Sequence, residues 1–220
     1  MKKLFVWDFH GTLEKDNEYA AIEISNYALE KLGFKEHFDR KHAVQLYGKK
    51  WYEYFEYLLP NEPHKTHVLL QETSFNWPEA EAIVAKHMKP NDHVQEVLKA
   101  IKDKGHSQIV ISNTSTYALP IFLRLAGIDK FFDNTTSFAV MGHVREVKRS
   151  KADVIKEYLK SLNFKPTMVV IGDSEKDMQI AKQFGAKGYW YRHTHHPSPK
   201  ARKNTKFTVI NNLREVLKEV

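Results

Sequence analysis

Three short apolar runs in the 220-residue chain each give way to side chains capable of polar chemistry. LFVW at 4–7 is followed by Asp8, His10, Gly11 and Thr12; IVI at 109–111 by Ser112, Asn113 and Thr114; and MVVI at 168–171 by Gly172, Asp173, Ser174 and Asp177. Lys151 opens an amphipathic stretch ahead of the third run. Carboxylates, a hydroxyl and one cation together suit the transfer of a phosphoryl group. A carboxylate can attack phosphorus to give an acyl phosphate. A hard cation such as Mg²⁺, held by carboxylates and the substrate phosphate, offsets the repulsion between the two anions. A hydroxyl and an ammonium can bind the other phosphoryl oxygens as charge shifts in the transition state. A turn glycine such as Gly11 lets backbone N–H groups come close to the phosphate.

These groups can act together only if the fold gathers them. Runs 4–7, 108–112, 168–171, 188–191 and 207–210 read as buried strands. Val94, Val97, Leu98 and Ile101, and then Val154, Ile155, Tyr158, Leu159 and Leu162, recur at helical spacing. Strands alternating with helices predict an α/β fold, a Rossmann-like and mostly parallel sheet covered on both faces. In such sheets ligands bind beyond the carboxyl ends of the strands, where all three polar groups fall. Residues 15–89 carry helical patterns and no convincing strand: Ile24, Ala28, Leu29 and Leu32 closed by Gly33, then Trp51, Tyr54, Phe55 and Leu58 stopped by Pro60, then Leu69–Leu70 and Ala80–His87. The expected organisation is a core of residues 1–14 and 90–220 interrupted by a helical insert, 15–89.

The motifs resemble those of the haloacid dehalogenase superfamily, and within it phosphatases of the phosphoglycolate phosphatase type, which carry a small all-helical cap after the first strand. LFVWDFHGT (4–12) matches the family's hhhhDxDGT except at one position; VISN (110–113) matches the second motif; VVIGDSEKD (169–177) matches hhhGDSxxD. Order and spacing agree, and the resemblance runs along essentially the whole chain. It implies a Mg²⁺-dependent hydrolase that takes phosphate from a small phosphorylated metabolite through an aspartyl phosphate on Asp8. Asp8, the backbone carbonyl of His10 and Asp173 would hold the metal, with Asp177 as a further ligand or its orienter. Thr12, Ser112, Asn113 and Lys151 would bind the phosphoryl group, Lys151 also bridging to the nucleophile. Lys148 competes with Lys151 for that role, but the KADVI sequence favours Lys151. The plainer reading of Asp173 and Asp177 is a pair of acids at a helix N-terminus, favourable to its dipole.

One position departs from the family pattern: His10 replaces the second aspartate of the first motif, which protonates the leaving oxygen and then activates water. A histidine, with an unperturbed pKa of about 6.5, can do both, or it can be inert. The substitution also leaves open hydrolysis of another bond on this scaffold, C–P or C–halogen, and a weakly active phosphate-binding relative.

Composition narrows the rest. There is no cysteine, which excludes disulfides and thiol catalysis. The net charge of +7 is spread along the chain, and the basic run 200–206 lacks a nucleic-acid motif. A positive surface around an anion site is expected, without nucleic-acid binding. No apolar run approaches membrane-spanning length, and 4–7 is too short for a signal core, so a cytoplasmic protein without membrane contact is expected. His193, His195 and His196 read as a solvated loop cluster, and the aromatics of 51–57 as packing. Tyr47, Lys49, Lys50 and Trp51, around Gly48, are expected to contact substrate. Substrate identity and oligomeric state are open.

Overall fold

A computed structural model describes residues 2–141, 149–192 and 207–220. Lys148, the three histidines at 193–196 and the basic run at 200–206 fall outside them. The chain divides into two compact units, Met1–Lys15 with Pro90–Val220, and Asp16–Lys89.

The first unit holds a six-stranded sheet: β1 (Lys3–Trp7), β2 (Ser107–Ser115), β3 (Ser137–Met141), β4 (Thr167–Gly172), β5 (Lys187–Tyr191) and β6 (Phe207–Ile210). All pairings are parallel, in the order β3-β2-β1-β4-β5-β6. The chain builds outward from β1 through β2 to β3 and then returns to β4 on the other side of β1. The order therefore reverses between β1 and β4, where open α/β sheets bind their ligands. Five of these strands follow the sequence pattern. The sixth, β3, is an edge strand whose described side chains are half-buried; its apolar run FAVM at 138–141 is as long as LFVW, and the sequence reading passed over it.

Helices α1 (Asn17–Lys31), α2 (Arg40–Gln45), α3 (Trp51–Leu58), α4 (His64–Phe75) and α5 (Ala80–His87) belong to the second unit; α6 (Val94–Asp103), α7 (Ala118–Leu125), α8 (Lys151–Ser161) and α9 (Glu175–Gln183) belong to the first. None is long and apolar enough to cross a membrane. Central β1 shows why the sheet is apolar along its length: Leu4, Phe5 and Trp7 are fully buried. Leu4 and Val6 share one face with Ile109, Ile111, Met168 and Val170, and Val154 and Ile155 of α8 cover it. Fully burying side chains of this size stabilises by roughly 1.5–3 kcal/mol each.

In the second unit, Ala28, Leu29, Phe38, Leu46, Phe55 and Leu70 form a separate core. α1 closes as its composition suggests: Gly33 takes φ 82°, and the N–H of Phe34 returns to the Leu29 carbonyl at 3.0 Å. Trp51 Nε1 donates to Ser25 Oγ at 2.7 Å, and its ring meets Phe75 edge-on. Trp51 thus anchors α3 within its own unit, in keeping with the packing read for the aromatics of 51–57. Lys49 and Lys50 are exposed. Two-residue strand pieces, Glu14–Lys15 and Lys89–Pro90, mark the ends of the insert and are too short to leave a periodic signal.

Candidate active site

Asp8 leaves the end of β1 but remains tied to the sheet, its N–H donating to the Ile171 carbonyl of β4 at 2.9 Å. The chain then turns tightly. The N–H groups of Thr12, Leu13 and Glu14 converge on the Phe9 carbonyl at 3.2, 2.9 and 3.3 Å, with Gly11 at φ 71°, a conformation that favours glycine. The turn brings His10 and Glu14 onto one side.

α8 begins with a capping box in which the Ser150 side chain accepts from the Asp153 N–H and Asp153 returns the bond. Lys151 is thereby its first residue. Its Nζ donates to Asp8 Oδ1 at 2.6 Å and to Asp177 Oδ1 at 2.9 Å. A second capping box, between Ser174 and Asp177, opens α9. Asp177 Oδ2 accepts from both the N–H and the hydroxyl of Ser174, so both its oxygens are engaged by protein. Gly172 allows this approach: a Cβ there would lie 2.4 Å from Asp177 Cγ. Carboxylate oxygens of Asp8, Asp173 and Asp177 all lie within 4.8 Å of one another.

Burial dominates the electrostatics. It pushes the Asp8 carboxyl up, Lys151 pulls it back, Asp177 adds to the rise, and the result is above the ordinary aspartate value. For Lys151 burial works downward, but the two carboxylates outweigh it and hold the ammonium above its usual range, fully charged. All the donors on the acidic side are hard oxygens, so the residues fit Mg²⁺.

Two further predicted residues are buried at the motif ends. Ser112 and Thr12 are fully buried, and neither hydroxyl has a hydrogen-bond partner among the described residues. By the β1–β2 register, Trp7 faces Val110, so Ser112 lies one step beyond the level of Asp8. Asn113 points the other way, as strand alternation requires, and is exposed.

His10 does not stand alone. Its Nδ1 lies 2.9 Å from Oε1 of Glu14, which is 1% exposed and also accepts the Gly11 N–H at 3.2 Å. The imidazole meets the rings of Phe9 and Phe122 edge-on, at 5.1 and 5.4 Å. The sequence reading missed Glu14 and Phe122. The i, i+4 spacing of His10 and Glu14 was an available signal; for Phe122 there was none. A separate group in the second unit, Glu56, His64 and His67, is accounted for locally: His64 Nδ1 pairs with Glu56, and His67 Nε2 with the Leu59 carbonyl.

A parallel α/β sheet thus carries acidic groups, a buried lysine and a buried serine at the carboxyl ends of its central strands. The chain belongs to the haloacid dehalogenase-like hydrolases, whose sequence model matches residues 5–190. No curated protein matches the chain significantly. Among solved structures it is similar to a predicted phosphoglycolate phosphatase from Haemophilus somnus 129PT, with 16% identity and a TM-score of 0.78 over 99% of this chain and 97% of the other. A haloacid dehalogenase-like family hydrolase from Streptococcus pneumoniae gives 18%, 0.72, and 99% and 98% coverage. CbbY from Rhodobacter sphaeroides, solved in complex with phosphate, gives 16%, 0.70, and 98% and 96%. At these identities the likeness is one of fold.

Proposed function

We propose that the protein is a Mg²⁺-dependent phosphohydrolase that removes phosphate from a small phosphorylated metabolite through an aspartyl phosphate on Asp8. The observation that carries this reading is the buried triad in which Lys151 contacts both Asp8 and Asp177. A lysine held charged against the nucleophile serves the transferring phosphoryl group better than it serves stability, since burying such a group is costly.

Asp8 attacks phosphorus and the leaving oxygen departs; water then cleaves the acyl phosphate and restores the carboxylate. Lys151 orients Asp8 and neutralises charge on the phosphoryl oxygens, while Ser112 and Thr12 offer buried hydroxyls to them. Asp8, Asp173 and the His10 carbonyl would hold Mg²⁺, with Asp177 fixing Lys151 and the α9 terminus. When bound, the cation supplies charge neutralisation between nucleophile and phosphate. His10 would exchange protons with the leaving oxygen and the water.

The test is hydrolysis of an aryl phosphate by the purified protein with Mg²⁺ and with EDTA. Activity that needs Mg²⁺ and disappears in Asp8→Asn supports the assignment. Metal-independent turnover, or turnover that survives Asp8→Asn, overturns it.

A further inference from the structure

We infer that Glu14 is a positioning residue: it holds His10 in one tautomer, so that Nε2 is the nitrogen exchanging protons during phosphoryl transfer. This rests on the proposed role of Asp8 as nucleophile and goes one step past it.

The contact itself sets the tautomer. A carboxylate oxygen accepts and an imidazole nitrogen can donate, so at 2.9 Å from Glu14 Oε1 the His10 Nδ1 carries the hydrogen. Any proton that His10 exchanges with a substrate must then pass through Nε2. The arrangement is a carboxylate orienting an imidazole whose far nitrogen does the work.

Three features make it rigid. Glu14 Oε1 also accepts the Gly11 N–H at 3.2 Å, so the carboxylate is fixed to the turn carrying His10. Asn91, itself buried, donates from Nδ2 to the Thr12 carbonyl at 2.8 Å and the Glu14 carbonyl at 3.1 Å, and its own N–H reaches the Leu13 carbonyl at 3.0 Å. Phe9 and Phe122 hold the ring edge-on. The exposures are unequal: the Glu14 side chain is 1% exposed and that of His10 28%. The carboxylate is sealed inside and the imidazole opens outward, as expected of an orienting residue and a working one. Burying a carboxylate is costly unless it is paired; here His10 and the Gly11 N–H both engage Oε1, while Oε2 is buried with no hydrogen-bond partner among the described residues.

The chemistry balances. In the first half-reaction the Asp8–phosphorus bond forms, the bond from phosphorus to the leaving oxygen breaks, and the Nε2 proton moves to that oxygen. In the second, water oxygen bonds to phosphorus, the Asp8–phosphorus link breaks, and a water proton returns to Nε2. Between the two steps His10 is neutral with its hydrogen on Nδ1, the form Glu14 selects.

The experiment compares wild type, Glu14→Gln, His10→Ala and the double variant on an alkyl and a nitrophenyl phosphate. With the alkyl phosphate, whose leaving oxygen needs a proton, kcat/KM should fall by about 10²–10⁴-fold in either single variant. With the nitrophenyl phosphate, kcat/KM should hold within about threefold, but hydrolysis of the phosphoenzyme should slow enough to give a burst of nitrophenolate. The double variant should be no worse than His10→Ala, because the two residues act as one unit. ¹⁵N spectra should place the ring hydrogen of His10 on Nδ1 in wild type and shift it towards Nε2 in Glu14→Gln. Equal losses on both substrates, additive losses in the double variant, or a wild-type hydrogen on Nε2 would overturn the assignment. The wild-type spectrum decides alone if Glu14→Gln does not fold. A wild type inactive on both phosphates would count instead against Asp8 as nucleophile.

Discussion

Removing the Lys151 charge offers the sharpest physical test of the site, because the structure fixes what is left behind. Its Nζ lies 2.6 Å from Asp8 and 2.9 Å from Asp177, and all three side chains are at most 10% exposed. Lys151→Met keeps most of the volume and strands two buried carboxylates facing one another. Breaking a buried ion pair from one side typically costs about 3–5 kcal/mol. At about 2–4 °C per kcal/mol for a protein of this size, the core should unfold roughly 6–20 °C lower in EDTA. Adding Mg²⁺ should recover part of the loss, since the cation restores positive charge among the same oxygens. Asp8→Asn should do the reverse: burial already disfavours the Asp8 charge, so removing it should leave thermal stability in EDTA unchanged or raised while abolishing turnover. Thermal unfolding followed by circular dichroism, with and without Mg²⁺, reads all of this. A fall of less than about 2 °C for Lys151→Met in EDTA, under roughly 1 kcal/mol, would refute the reasoning.

Other outcomes follow from single contacts. Gly172→Ala should displace Asp177 and lower kcat by an order of magnitude or more, because its Cβ would sit 2.4 Å from Asp177 Cγ; unchanged kcat would show that the site relaxes freely. Asp173→Asn should weaken Mg²⁺ dependence at least tenfold, read from activity titrated with Mg²⁺, and an unaltered titration would remove Asp173 from the ligand set. Burial tends to raise Glu219, but hydrogen bonds from Lys187, Tyr189 and Lys3 win and hold it at about 2, below the ordinary 4.5. Its contribution is therefore present above pH 4.5 and is lost as pH falls towards 2. Lys187 is half exposed, so screening trims this to about 1–2 kcal/mol, which Glu219→Gln should cost at pH 7, falling to under half of that at pH 3 and to little near pH 2 by denaturant unfolding.

What could be read from the sequence was what leaves a periodic or local trace. β1 and β4 are apolar runs that end abruptly in acids, and Ser150 to Asp153 and Ser174 to Asp177 are capping spacings that fix where α8 and α9 begin. Lys151 could be favoured for the same reason, as a helix-opening lysine. The edge strand β3 was missed although FAVM at 138–141 is an apolar run as long as LFVW; unlike β1 and β4, it does not end in an acid. α7 is obscured by Pro120, which its first turn accommodates because the N–H it lacks would be unbonded there anyway. Glu14 was the costliest omission: a charged residue between Leu13 and Lys15 looks solvated until the turn folds it inward.

The central claim, covalent transfer to Asp8, can be tested directly by quenching a single turnover with acid, reducing with borohydride and mapping the modified peptide by mass spectrometry. An acyl phosphate on Asp8 would be converted to homoserine at that position alone, and the signal should vanish in Asp8→Asn. Phosphate released with no modified Asp8, or homoserine at Asp173 or Asp177 instead, would contradict the account.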